Sequence, residues 1–149
     1  MILERGDMWD VYGATDLFLI TTNPIINKQD KLVMGRGIAK EFAERFPEGP
    51  TEFAKMVRAF PARYCSEFYY EPVFGRQWVG YFMVKRHWKE PAHIPTIMRS
   101  TSSLIEIADS GGRIDLNFPG IGNGKLQRED VLPIIQTLPD NVHVWEYKQ

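Results

Sequence analysis

A chain of 149 residues with 44% hydrophobic content, 13% aromatic content and a formal net charge of −1 carries enough apolar material for one packed domain. It is too evenly charged to coat nucleic acid by electrostatics alone. Its single cysteine, Cys65, excludes an internal disulfide and a cysteine-based zinc cluster, and three dispersed histidines supply no metal site.

The N-terminal residues Met1–Arg5 lack the basic-then-apolar layout of a secretory signal, and apolar runs such as Leu17–Ile20 are strand-sized. One domain over residues 1–149 is expected, cytoplasmic, without membrane contact, metal or cofactor. Ile2–Arg5 reads as a short edge strand leading into Gly6-Asp7-Met8-Trp9. Asp7 at that strand end is either a turn former or an acceptor for an adenine amino group. Asp16–Thr21 is apolar between polar flanks, as in a buried strand. A polar loop follows over Thr22–Leu32, where Asn23 precedes Pro24; its carboxamide either makes a turn or reaches a ribose hydroxyl.

Gly37–Phe46 and Thr51–Phe60 repeat apolar residues at helical spacing and stop at Pro47 and Pro61. Arg63–Val73 reads as an aromatic strand containing Cys65, and Trp78–Val84 as a second one. Ile94–Ala108 predicts a helix closed by Gly111-Gly112. Ile114–Phe118 predicts a strand, Arg128–Leu138 a helix disturbed by Pro133, and Val142–Tyr147 a final alternating strand. Strands interleaved with helices predict a three-layer α/β/α sandwich with a mixed, mostly parallel central sheet. Ligands of such sheets lie beyond the carboxyl ends of the strands.

Two glycine-rich turns fall at that edge. One is Val33-Met34-Gly35-Arg36-Gly37-Ile38-Ala39; the other is Phe118-Pro119-Gly120-Ile121-Gly122-Asn123-Gly124-Lys125-Leu126. Each joins an extended segment to a helix, where glycine permits close backbone approach and free N–H groups attract anions. Side by side they would hold a diphosphate. The second turn lacks both the Gly-Lys-Ser/Thr ending of a nucleoside-triphosphatase loop and the spacing of a dinucleotide fold. Lys85 follows the strand Trp78–Val84. It is either a surface lysine with a buried stem or a partly desolvated amine suited to act as nucleophile or base. His87, read as two residues further along the same strand face, would assist as acid or base. Arg86, Trp88 and Lys89 complete a basic patch, with Trp88 either stacking on a base or packing on the sheet. His93 and His143 read as structural.

With these residues assembled, the chain resembles a macrodomain, and most of all the antitoxin macrodomains of DNA-ADP-ribosylating toxin–antitoxin pairs and the related terminal ADP-ribose glycohydrolases. Gly6-Asp7, Val33–Ala39, Lys85-Arg86-His87-Trp88 and Gly122–Leu126 carry the resemblance, in order, across nearly the whole chain.

The resemblance implies an ADP-ribose cleft. In it Asp7 and Met8 lie at the adenine, and Thr22 and Asn23 near the distal ribose. Gly35–Ala39 meet that ribose and part of the diphosphate, Pro119–Gly124 the phosphates, and Lys85 occupies the catalytic lysine position. The sequence departs from the pattern in three places. The loop Pro24–Lys31 is long, Met83 and Val84 replace a proline and threonine, and Gly124 or Lys125 stands where the eukaryotic enzymes carry an acid. The expectation is a monomeric ADP-ribosyl glycohydrolase acting on modified nucleic acid or protein, with single-stranded DNA as candidate partner. Its size suits an antitoxin or a phage counter-defence protein. The alternatives are a non-catalytic sponge for ADP-ribose or an NAD-derived signalling nucleotide, and an ADP-ribose 1″-phosphate phosphatase.

Overall fold

A computed structural model describes residues 1–147; Lys148 and Gln149, included in the expected domain, lie outside the described residues. The strands are β1 (Ile2–Arg5), β2 (Leu17–Thr22), β3 (Cys65–Phe68), β4 (Trp78–Met83), β5 (Ile114–Asn117) and β6 (Val142–Glu146). The helices are α1 (Ile38–Arg45), α2 (Gly49–Ala59), α3 (Glu71–Phe74), α4 (Ile94–Ala108) and α5 (Arg128–Ile135). One six-stranded sheet runs β1-β6-β5-β2-β4-β3. All neighbours are parallel except the edge strand β3, which is antiparallel to β4.

Strand β2 is central, so both its faces are covered. Leu17 and Leu19 join one core with Ile97 and Leu104 of α4 and Val131 and Ile135 of α5. Phe18 and Ile20 point the other way, into a core with Trp9, Phe42 of α1, Phe53 of α2 and Phe74 of α3. That two-sided burial explains why β2 reads as a continuous apolar run rather than an alternating one. The expected mixed sandwich is therefore present, with α4 and α5 on one face and α1–α3 on the other.

Three of the boundaries that differ from expectation bear on the site. The aromatic stretch 63–73 is a strand only over Cys65–Phe68; Pro72 in the first turn starts α3, and Gly75 at φ 71° ends it. Thr22 is the last residue of β2 rather than the start of the loop. Strand β4 stops at Met83, and residues 86–89 form a turn. His87 consequently does not share a strand face with Lys85.

The candidate ligand cleft

Strands β2, β4, β5 and β6 deliver their carboxyl ends to one edge of the sheet. A cleft of about 360 Å³ opens there, within the range of small-ligand sites. Its walls are the two glycine turns. A Cβ added to Gly37 would lie 3.3 Å from Asn123 Nδ2, so turns more than eighty residues apart in the chain abut. Gly37 (φ 65°), Gly120 (φ 81°) and Gly122 (φ 65°) hold left-handed backbone that other residues resist. Among the described residues no acceptor receives the amides of Gly35, Arg36, Gly37, Gly122 or Asn123. Gly37 caps α1 without any side-chain hydrogen bond, which leaves the helix N-terminus open toward the cleft.

The electrostatics point the same way. Burial chiefly, and then the neighbouring cations Lys125 and Arg36, press the Lys85 ammonium below its ordinary 10.5. No carboxylate lies within 4.0 Å of any of these three cations among the described residues. An anion between the turns would relieve their mutual repulsion. Glu146 is the acid lining the cleft, and Arg128 already holds it through Nη2–Oε1 at 2.8 Å and Nε–Oε1 at 3.1 Å. Thr22 is 4% exposed at the cleft floor, and its hydroxyl has no hydrogen-bond partner among the described residues. Buried polar atoms are rarely left so, which makes Thr22 a group suited to a ligand's hydroxyl.

The structure gathers Thr22, Asn23, Gly35–Ala39, Gly120–Gly124, Lys85 and Trp88 around the cleft. Asn23 is committed to the protein: Nδ2 donates to the Val33 carbonyl at 2.9 Å, and Oδ1 accepts from the Ile25 amide at 2.9 Å. These bonds tie the long loop down beside the first turn. Met8, Met34 and Pro119 do not line the cleft. Met8 is buried in the α1–α3 core, Met34 packs against it, and Pro119 is buried behind its turn. Asp7, exposed at the end of β1, accepts from the Trp9 amide at 3.0 Å and caps a 3-10 turn over Met8–Val11. His87 is also off the cleft. Its Nδ1 accepts from the Lys89 amide at 3.1 Å, and its ring stacks on Trp88 at 5.5 Å. Lys89 Nζ sits 5.1 Å over the same Trp88 ring. His93 and His143 are structural as expected, bonded to Thr96 at 2.8 Å and Glu4 at 2.9 Å.

The sequence reading missed Thr21, Asn117, Trp145, Glu146 and Tyr147, all cleft-lining. Each stands at a strand's carboxyl end, and that rule was the signal available to find them. Asn117 and Thr21 lock β5 to β2 through two bonds of 3.0 and 2.8 Å. Trp145 Nε1 donates to the buried Asp115 at 2.7 Å, which fixes its ring at the cleft wall. Tyr147 is 59% exposed and donates to Glu41 at 2.8 Å.

No protein-family model matches the chain. A curated relative, the DNA ADP-ribosyl glycohydrolase of Mycobacterium tuberculosis, is 30% identical over a 138-position alignment that covers 87% of this chain and 39% of the relative. The solved macrodomain of Mycobacterium tuberculosis DarG is 26% identical with a TM-score of 0.73, covering 99% of this chain and 98% of that one. The chain belongs to the macrodomain family. This macrodomain spans about two fifths of the length of the Mycobacterium relative (39%) and 34% of the Thermus aquaticus DNA ADP-ribosyl glycohydrolase, which is 28% identical over 123 residues. It also shares its fold with Thermosipho africanus DarTG, solved in complex with ADP-ribose, at a TM-score of 0.76 and 20% identity over 99% of this chain and 42% of that one. No helix among the described residues is long and apolar enough to cross a membrane.

Proposed function

We propose that this macrodomain binds ADP-ribose in the cleft between its glycine turns and hydrolyses the bond that links it to a modified nucleic acid base. The observation that carries the reading is the convergence on one cleft of open amides, an uncapped helix N-terminus and the cations Arg36 and Lys85, which have no carboxylate partner among the described residues and feel the nearby charge of Lys125. A diphosphate neutralises that field. Thr22 offers its spare hydroxyl to a ribose, and the exposed Tyr147 ring offers a stacking face to a base. The relatives named DNA ADP-ribosyl glycohydrolase support the same reaction class.

Lys85 is the proposed catalytic residue. Its lowered pKa raises the fraction of neutral amine, which either attacks C1″ of the distal ribose or takes a proton from the substrate. In the first route the Nζ–C1″ bond forms as the C1″–base bond breaks with its electron pair and a proton going to the base, and water then cleaves the Nζ–C1″ bond and supplies the C1″ oxygen. In the second, Lys85 takes the proton, water attacks C1″ directly, and the base leaves with the electron pair and a proton from solvent. The macrodomain would act as a cytoplasmic monomer. Trp88, 43% exposed at the cleft mouth, faces the base being released.

ADP-ribosylated single-stranded DNA incubated with wild type releases ADP-ribose. Lys85→Ala slows release by about two to four orders of magnitude while ADP-ribose binding measured by calorimetry persists. A fully active Lys85→Ala would exclude lysine catalysis. The second reading is a non-catalytic ADP-ribose sponge. It is favoured by the absence, among the described residues, of an unpaired cleft carboxylate, since Glu146 is held by Arg128. Binding without release by wild type would establish it.

A further inference from the structure

A second cavity, about 570 Å³, lies on the far side of Lys85, between α2, the start of β3 and the N-terminus of α4. Lys85 lines both cavities. Among the described residues lining the groove, five are cations (Arg58, Arg63, Lys85, Arg86 and Arg99) and none is an acid. The four arginines are exposed. Asp30 holds Arg58 at 2.8 Å and Glu90 holds Arg86 at 3.3 Å from outside the groove. Arg63 and Arg99 have no carboxylate within 4.0 Å among the described residues. Both are instead set on aromatic rings. Arg63 lies 4.3 Å over Phe60, and Arg99 lies 5.4 Å over Tyr64 while donating to its hydroxyl at 2.8 Å. Helix α4 points its N-terminus at the groove and has no acid in its first turn.

We infer that this groove carries the phosphodiester backbone of a single-stranded polynucleotide flanking the modified base. The inference rests on the proposed function: ADP-ribose fills one cavity, Lys85 marks the scissile bond, and the strand leaves through the other. Arginine forks suit phosphate oxygens, and the Tyr64 ring in the groove wall suits an unstacked base. The site is a groove, so a strand with free bases enters it, whereas a duplex would first have to extrude the base. This routes the flanking phosphates past Arg63 and Arg99, while Trp88 stays at the cleft mouth beside the modified base.

The test uses a fluorescently labelled, unmodified oligothymidylate in polarisation titrations at several salt concentrations. Free ADP-ribose binding is measured in parallel. The Arg63→Glu/Arg99→Glu variant is expected to weaken oligonucleotide binding about tenfold or more and to flatten the salt dependence by about one to two ions. Its ADP-ribose affinity is expected to match wild type. A charge-matched variant, Lys40→Glu/Arg76→Glu, is expected to bind the oligonucleotide as wild type does. Equal losses in both variants would overturn the groove in favour of diffuse electrostatics. Unchanged strand binding in the arginine variant would overturn it in favour of another occupant, such as an acidic protein. Loss of ADP-ribose binding by wild type itself sinks the cleft reading, and the oligonucleotide titration reads the groove independently of it.

Discussion

Lys85 stands where two cavities meet, beside two cations and without a carboxylate partner among the described residues. Under the proposed mechanism only its neutral amine attacks carbon or accepts a proton, so turnover is expected to rise with pH and to level off once Lys85 is deprotonated. The midpoint is expected below the ordinary lysine value of 10.5. Because the Lys125 charge lowers that midpoint, Lys125→Gln is expected to move it upward and to reduce turnover near neutrality; a pH–kcat profile that stays in place would refute the coupling. Gly122 makes the complementary case in the backbone. Its φ of 65° strains any side chain, yet no atom lies within 4 Å of an added Cβ. Gly122→Val is therefore expected to cost about 1–3 kcal/mol of stability while filling the space a diphosphate needs. Retained ADP-ribose affinity in a folded variant would show that the ligand does not approach this turn. His87 shows the limit of residue-by-residue reading. Its type and spacing fit an acid–base partner, but the turn after β4 directs it onto Trp88 and the Lys89 amide.

Among the elements, β4 matters most to function because it ends two residues before Lys85. Its Gly80 lets β3 and β2 close against it: an added Cβ would stand 2.0 Å from the Ser66 carbonyl oxygen and 2.7 Å from Leu19 Cδ2. Gly80→Ala is expected to destabilise the fold by about 3 kcal/mol, and wild-type stability in urea would contradict the tight pairing. Helix α4 was legible in full, since apolar spacing and the glycine pair beyond its end agree with Ile94–Ala108. Helix α5 runs through Pro133 and ends at Ile135, three residues short of the expected Leu138. The aromatic stretch after Arg63 was not legible as strand-then-helix. Aromatic residues satisfy a strand and a core-facing helix equally, and only Pro72 and Gly75 mark the change.

Across the whole molecule, the sequence determined the fold class. Apolar runs and helical spacings alternate in an order that a parallel sheet covered on both faces accommodates. It also placed the second glycine turn at the carboxyl edge, because that turn follows β5; the first follows no sheet strand but a loop holding the isolated bridge Ile26–Leu32, and tertiary packing brings it to the same edge. Tertiary structure alone decided which turns meet. The order β1-β6-β5-β2-β4-β3 places β5 and β4 on either side of β2, and this brings Asn123 against Gly37 and sets Lys85 between two cavities. It also decided which polar groups remain open: Asn23 is consumed by the Val33 carbonyl and the Ile25 amide, whereas Thr22 is left without a partner. Local propensity acts over a few residues and is written in their types. Strand order, the pairing of distant loops and the clustering of Arg63 and Arg99 depend on long-range packing, to which no single segment carries the key.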